Sequence, residues 1–304
     1  MEKQKIVVIQ GPTGVGKTAA VLDLARTIPL EIVNADSMQF YRYMDIGTSK
    51  PTPAQQRQAP HHLFSVADPD EQFDAARFMA EGRRVIADIA ARGALPVVAG
   101  GTGLYLRALT RGLFDAPQAD EALRKRLLKL GRQALFERLR RIDPEASRKI
   151  NQNDAVRIVR ALEVYYLTGV PLSQHHRNHR FQDTPYECLR LCLSRERQRL
   201  YERIDQRADR MIDEGLVQEV QALLDKGFLP QLRAMQSIGY RQITDHLLHD
   251  LSLQDAVMYI KRETRRLAKR QLTWFRRESG LIWIELPGQE GRIEALVRKF
   301  LNIV

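Results

Sequence analysis

The sequence contains little cysteine: only Cys188 and Cys192 occur in 304 residues. A structural zinc site usually takes its ligands as two spaced pairs, and this pair has no second one. Both cysteines lie in CLRLCLS, an apolar alternation that predicts a buried strand with reduced thiols. The histidines also lack the ligand spacing of a metal site, including the grouped ones, His61, His62, His175, His176 and His179.

The sequence also lacks a long hydrophobic run. Its longest apolar runs, such as Ile6–Ile9 and Leu95–Ala99, have the length of a strand, whereas a membrane helix needs about 20 apolar residues. Glycines that begin at Gly11 interrupt the N-terminal apolar run, so a signal peptide is not predicted. We therefore expect a cytoplasmic protein without a membrane partner.

Acidic residues are too few to balance the basic ones: 48 Lys and Arg stand against 37 Asp and Glu, a net charge of +11. Residues 124–149 contain ten basic and three acidic residues, and residues 261–277 contain eight basic and one acidic. Such clusters indicate a polyanionic partner. Helical spacing through this second cluster predicts two faces. Ile260, just before the cluster, shares an apolar face with Leu267 and Trp274, and the opposite face is polar. The predicted phosphate-contacting face consists of Arg262, Arg266, Lys269, Thr273 and Arg276.

A phosphate-binding pattern is present near the N-terminus. Residues 11–18, GPTGVGKT, match GxxxxGK[ST] between a strand pattern and a helical one. Loop N–H groups, the helix N-terminus and Lys17 would hold an oligophosphate, and the Thr18 hydroxyl would bind Mg²⁺. We predict a diphosphate site of Gly11, Pro12, Thr13, Gly14, Val15, Gly16, Lys17 and Thr18, with Thr18 as the metal ligand.

Strand and helix patterns alternate in the first hundred residues, where KIVVIQ, LEIVNADS and ALPVVAGG each predict a strand. This alternation predicts a parallel sheet with ligands at the carboxyl ends of its strands. Residues 115–179 are helical in pattern, before CLRLCLS and LIWIEL return to strands. The predicted fold class is α/β: a P-loop NTPase-like parallel sheet flanked by helices, residues 1–114 with 180–304, and an all-helical insertion domain, residues 115–179.

The strand pattern LPVVAGG ends without the acidic residue that holds Mg²⁺ in many P-loop phosphoryl-transfer enzymes. This absence weakens the motor-ATPase interpretation, but a small-molecule kinase stays open because Asp36 could serve the metal. Asp36 ends the second strand pattern, at the edge that Lys17 faces, and is either a helix cap or a base or metal ligand. Lys50 in GTSKP and Thr102 in GGTGLY are expected at the same edge. Thr102 alternatively only caps a glycine-rich turn.

The sequence closely resembles the tRNA dimethylallyltransferase family from about residue 6 to residue 277, in GPTGVGKT, DSMQFY, GTSKP, GGTGLY, RIVRALE, QSIGYR and KRQLTWFR. The resemblance implies transfer of a dimethylallyl group from dimethylallyl diphosphate to the exocyclic N6 amine of the adenosine immediately 3′ of the tRNA anticodon, with release of diphosphate. It implies a catalytic set of Asp36 as general base, Arg207 on the leaving diphosphate, and Thr102. Mg²⁺ is the implied cofactor.

The resemblance also implies where the tRNA anticodon stem–loop binds. Family segments that contact tRNA match Asp36, Ser37, Met38, Gln39, Thr102, Arg160, Ala161, Leu162, Glu163 and Val164. The cationic face of Arg262, Arg266, Lys269 and Arg276 would add phosphate contacts. The chain resembles the short bacterial form, which lacks the zinc finger of some members, and we expect a monomer without a stable protein partner.

Three alternatives stay open at this point. An adenylate isopentenyltransferase uses the same donor, but a free nucleotide needs neither a helical insertion nor a basic C-terminal helix. A P-loop small-molecule kinase would use ATP. A P-loop RNA-binding protein would bind tRNA without turnover.

Overall fold

The structure, a computed structural model, describes residues 3–179 and 182–303. Within these residues lies a six-stranded parallel sheet in the order β3-β2-β4-β1-β5-β6. Its strands are β1 (Gln4–Gln10), β2 (Leu30–Asn34), β3 (His61–His62), β4 (Leu95–Gly100), β5 (Tyr186–Arg195) and β6 (Ile282–Leu286). This sheet confirms the predicted fold class. Only β3 was not predicted, because two residues are too few to show a periodic pattern.

Helices accompany the sheet along the whole chain. None that the structure describes is both long and apolar enough to cross a bilayer. The helices that share a compact unit with the sheet are α1 (Lys17–Ala25), α2 (Pro53–Gln56), α3 (Ala75–Ala91), α4 (Gly103–Arg111), α10 (Arg197–Asp213), α11 (Leu216–Asp225), α12 (Tyr240–Leu248), α13 (Leu253–Phe275) and α14 (Glu290–Leu301).

The central strand β1 is covered on both faces. Ile6, Val7, Val8 and Ile9 are all fully buried. Ile6 and Val8 belong to one hydrophobic cluster, whereas Val7 and Ile9 belong to another. A parallel strand between two helical layers needs apolar residues at every position, which is why this run shows no polar alternation. The strand thereby fixes the place of the loop that follows it at the sheet edge.

One helical sequence pattern is divided into two helices. Residues 202–225 have a continuous helical pattern, but α10 and α11 are separated by Glu214 and Gly215. Gly215 has a φ of +102°, which a right-handed helix cannot contain. Beyond this break, the Glu219 carboxylate accepts the backbone N–H groups of residues 45–47 at 2.8 to 3.1 Å. The break therefore lets α11 hold a loop that follows β2.

The chain forms two compact units, Met1–Thr110 with Pro185–Val304, and Arg111–Thr184. The second unit contains the predicted boundaries, 115 and 179. Its α8 begins after Asp154, whose carboxylate caps the helix by accepting the N–H of Arg157 at 3.1 Å. The helices of this unit are α5 (Glu121–Leu128), α6 (Arg132–Ile142), α7 (Pro144–Lys149), α8 (Ala155–Thr168) and α9 (Leu172–His179).

Candidate active site

The predicted phosphate-binding residues form a tight loop between β1 and the start of α1, and we call residues 11–18 the P-loop. Gly11, Gly14 and Gly16 have φ angles of +154°, +79° and +113°, which residues with side chains rarely adopt. A Cβ on Gly11 would also lie 2.7 Å from the carbonyl oxygen of Leu193. The glycines therefore let the backbone turn over the N-terminus of α1, where unpaired N–H groups favour an anion.

Lys17 is held by the backbone of its own loop. Its Nζ donates to the carbonyl oxygens of Gly11 and Pro12, both at 3.0 Å. Burial lowers the pKa of Lys17 to about 8, an effect that the Asp36 carboxylate opposes and the Arg207 guanidinium strengthens. An anion bound in the P-loop would favour the charged ammonium and raise this pKa again.

Three arginines contact the P-loop from other elements. On α10, Arg207 Nη1 donates to Thr13 Oγ1 at 3.1 Å, and one turn earlier Arg203 Nε donates to the carbonyl oxygen of Gly14 at 3.1 Å. At the end of β5, Arg195 Nη2 donates to another P-loop carbonyl at 3.4 Å. The structure thus brings the predicted Arg207 to the loop. Arg203 and Arg195 were missed, although the helical spacing between Arg203 and Arg207 was a usable signal.

Asp36 follows β2 at the same edge of the sheet. Its Oδ1 accepts the backbone N–H of Met38 at 3.0 Å in a turn, so it does not cap a helix. Its Oδ2 accepts no hydrogen bond from the residues described. Burial lowers the pKa of Arg207, and the charge of Asp36 opposes this shift as it does for Lys17. One carboxylate therefore stands beside two partly desolvated cations.

Thr102 holds the Asp36 turn from the neighbouring strand. Its Oγ1 accepts the N–H of Ser37 at 3.0 Å, and its own N–H donates to the Ala35 oxygen at 3.3 Å. This approach requires glycine at position 100, where a Cβ would lie 2.2 Å from the same Ala35 oxygen. The hydroxyl oxygen of Thr102 thus holds the Asp36 turn, and β2 and β4 bring the two predicted residues together.

The loop after the Asp36 turn is closed by its own polar side chains. Gln39 Nε2 donates to the carbonyl oxygens of residues 48 and 49, both at 3.0 Å. Lys50 Nζ donates to Asp45 at 2.7 Å and to Ser65 at 2.8 Å. The expectation that Lys50 brings a charge to the ligand edge is therefore wrong, because that charge is used inside the loop.

Family models cover most of the chain. The model described as IPP transferase matches residues 39–278, and the model described as isopentenyl transferase matches residues 4–61. The tRNA dimethylallyltransferase of Geobacter metallireducens is 50% identical over 99% of each chain. That of Syntrophobacter fumaroxidans is 50% identical over 97% of this chain and 87% of its own. The chain belongs to the tRNA dimethylallyltransferase family.

Solved structures of this family share the fold. The full-length tRNA isopentenylpyrophosphate transferase from Bacillus halodurans matches with a TM-score of 0.74 and 38% identity, over 99% of this chain and 97% of that one. A eukaryotic dimethylallyltransferase acting on tRNA matches with a TM-score of 0.85 and 28% identity, over 99% and 80%. Membership in the tRNA dimethylallyltransferase family confirms the predicted prenyltransferase class and removes the kinase and the non-catalytic RNA-binding protein as alternatives.

The cationic helix of the tRNA dimethylallyltransferase fold has the two faces that the sequence predicted. Ile260 on α13 is buried, and Leu267 and Trp274 are half-buried. The opposite face is exposed, but its charges are not all free, because Glu263 accepts from both Arg262 and Arg266. Within the chain as described, no side-chain partner is found for the remaining cations of that face, Lys269 and Arg276.

The predicted tRNA contacts of the segment 160–164 need correction. Ala161 is 1% exposed, and Leu162, Glu163 and Val164 are 0% exposed, so their side chains form no surface. Glu163 instead accepts hydrogen bonds from Arg124 at 2.7 Å and from Arg160 at 2.6 Å within the helical unit. Only Arg160 in this segment keeps a partly exposed side chain.

Side chains of the described residues do not form a metal-binding cluster by themselves. Over residues 3–179 and 182–303, no three His, Cys, Asp or Glu side chains are placed to hold an ion. Cys188 and Cys192 are free thiols in β5, which confirms the predicted strand.

We predict that diphosphate binding weakens as the pH rises through about 8, because Lys17 loses its charge there. If the bound anion restores the ordinary lysine pKa, the Kd should rise by about tenfold per pH unit above 8. Calorimetric titration with inorganic diphosphate from about pH 6.5 to 9.5 measures this.

Lys17→Arg is the matched control, since a guanidinium stays charged over the whole range. Any change that it shares with the wild type reports the ionisation of diphosphate itself. A wild-type Kd that follows the Lys17→Arg curve would contradict a titrating Lys17.

Proposed function

We propose that this protein transfers a dimethylallyl group from dimethylallyl diphosphate to the exocyclic N6 amine of the adenosine immediately 3′ of the tRNA anticodon and releases diphosphate. The observation that carries the proposal is the pairing of a P-loop with Asp36 across one sheet edge. The P-loop suits a diphosphate, and the carboxylate suits an amine that must lose a proton. The end of β4 supplies no acid of the kind that supports phosphoryl transfer.

The reaction forms the bond between N6 and C1 of the dimethylallyl group and breaks the bond between C1 and the bridging oxygen. The departing diphosphate takes the electron pair of that bond. N6 loses a proton, which Asp36 accepts as general base. Its Oδ2 suits this task, because the turn occupies only Oδ1, with the Met38 N–H at 3.0 Å.

The leaving diphosphate is stabilised by the P-loop. Its N–H groups, the Lys17 ammonium and the Arg207 guanidinium carry positive charge to the place where negative charge develops. Fixed cations of this kind need little reorganisation during the reaction. Thr102 acts on the acceptor side: its oxygen accepts the Ser37 N–H at 3.0 Å, so its own hydrogen stays free to be donated to substrate.

Mg²⁺ fits this arrangement as an ion shared with the diphosphate. Mg²⁺ keeps several waters and is bound by one or two protein oxygens together with substrate phosphates. Thr18 lies at the start of α1, and its hydroxyl has no hydrogen-bond partner in the described part of the chain. The ion would neutralise charge on the departing diphosphate, and Thr18 would be its protein ligand.

We further propose that the exposed face of α13 contacts the phosphates of the anticodon stem–loop. Arg160, in the helical unit, is proposed as a separate tRNA contact. The target adenine must leave its stack to meet the donor, at a cost of a few kcal/mol. Met38 and Gln39 follow Asp36 and would border the base. We also propose that the protein acts in the cytoplasm as a monomer.

Label transfer tests the function and its nearest rival. The protein is incubated with Mg²⁺, radiolabelled dimethylallyl diphosphate and either unmodified tRNA or AMP. We expect label in tRNA alone, on the adenosine next to the anticodon. Label in AMP but not in tRNA would overturn the proposal in favour of an adenylate isopentenyltransferase.

Asp36→Asn should lower turnover by about 10²–10⁴-fold, the usual contribution of a general base. The amide oxygen can still accept the Met38 N–H, so the turn should persist and tRNA affinity should change little. Single-turnover rates and tRNA titrations measure the two effects. Asp70→Asn, at an exposed position, is the control, and equal turnover in the two variants would contradict Asp36 as the base.

A further inference from the structure

A glutamine on α13 reaches into the site from the side opposite to the cationic face. Gln271 Oε1 accepts the backbone N–H of Thr13 at 2.8 Å, and its Nε2 donates to the carbonyl oxygen of Gly101 at 2.9 Å. Both distances are those of good hydrogen bonds. The two ends of one planar amide thus bridge the P-loop and the Thr102 turn, which comprises residues 100–103.

These two partners belong to the two halves of the proposed reaction. Thr13 lies in the P-loop, and its hydroxyl accepts from Arg207 at 3.1 Å. Gly101 precedes Thr102, which holds the Asp36 turn through Ser37. Gln271 therefore connects the diphosphate side directly to the base side, through one hydrogen bond to each.

Small residues let α13 come this close. A Cβ on Gly101 would lie 2.5 Å from Gln271 Nε2, and a Cβ on Gly103 would lie 2.2 Å from the indole nitrogen of Trp274. Trp274 follows Gln271 by three positions, so both side chains project from one face of the helix. Arg107 of α4 stacks on the Trp274 ring at 4.4 Å. The amide is thus fixed in place by the packing of its own helix.

We infer that Gln271 is a positioning residue that sets the separation between the diphosphate held by the P-loop and the base at Asp36. The inference rests on the proposed function. The amide of Gln271 offers an acceptor and a donor on two separate atoms, which neither a carboxylate nor an apolar side chain of the same length provides. Loss of the bridge leaves β1 and β4 paired up to Gln10 and Gly100, but it removes the tie between the P-loop and the Thr102 turn beyond that pair.

Gln271→Met tests this, because methionine has a similar length without the two hydrogen bonds. We expect kcat/KM for dimethylallyl diphosphate to fall by about 10²-fold, the effect of a misplacement near 1 Å. The fall should divide between a higher KM for the donor and a lower kcat. Binding of inorganic diphosphate should weaken, whereas the affinity for the anticodon stem–loop should stay unchanged. Gln254→Met, an exposed glutamine on the same helix, is the matched control.

A double variant tests the bridge itself. If Gln271 acts through the Thr102 turn, Gln271→Met combined with Thr102→Val should cost less than the product of the single losses. If the loss in the double variant equals the product of the two single losses, Gln271 and Thr102 act independently, which would contradict the bridge. The inference would also be overturned if Gln271→Met matched Gln254→Met, or if it lowered kcat and the melting temperature while diphosphate binding and the donor KM stayed unchanged.

The same experiments separate this inference from the proposed function. If the wild type labels no tRNA, the proposed function fails, and with it the role of Gln271 in the reaction. The titration with inorganic diphosphate then still decides whether Gln271 holds the P-loop. If the wild type labels tRNA and the two methionine variants behave alike, only the inference about Gln271 fails.

Discussion

Lys17 and Arg207 are two cations held near each other, out of full contact with water, with one carboxylate beside them. Burial lowers the pKa of both, and Asp36 opposes the shift in both without cancelling it. A polyanion that enters such a site is bound favourably, because it stabilises the charged forms of both Lys17 and Arg207. The P-loop backbone, the arginines behind it and the Asp36 turn are all arranged around this excess of positive charge.

The fold meets this constraint by bringing the ends of three neighbouring strands together. β1 leads into the P-loop, β2 into the Asp36 turn and β4 into the Thr102 turn. Gly100 allows β4 to meet the backbone of Ala35, and Gln271 then joins the Thr102 turn to the P-loop. In other P-loop proteins the P-loop serves phosphoryl transfer. In this fold it can hold a leaving diphosphate, because the Asp36 carboxylate lies on the acceptor side.

The sequence analysis predicted what short-range patterns encode. The glycines and Lys17 of the P-loop, the parallel sheet, the exposed face of α13 and the position of Asp36 follow from spacing and strand order alone. Residues that depend on a distant partner were not predictable in this way. Gln271 lies 258 positions from Thr13, and nothing in its neighbourhood indicates that it bonds both the P-loop and the Thr102 turn. The tRNA contact expected of Glu163 on α8 was not predictable for a related reason. This side chain is polar but fully buried, where it accepts hydrogen bonds from Arg124 and Arg160.

Local chemistry also overrode helical periodicity. The pattern across 202–225 continues through Gly215, but a left-handed glycine ends α10 there. Lys50 was expected at the ligand edge because it follows a glycine and two hydroxyls, but Asp45 and Ser65 take its charge. The backbone of one glycine decided the first outcome, and the side-chain partners of Lys50 decided the second.

The central claim is that the P-loop holds a leaving diphosphate and that no phosphoryl group moves. Dimethylallyl diphosphate labelled with oxygen-18 at the oxygen between C1 and phosphorus tests this directly, by mass spectrometry of the products after reaction with tRNA. We expect all of the label to leave in the diphosphate, because the C1–O bond breaks. Label retained in dimethylallyl alcohol, or a phosphoryl group on the acceptor, would show that a P–O bond breaks and would contradict the account.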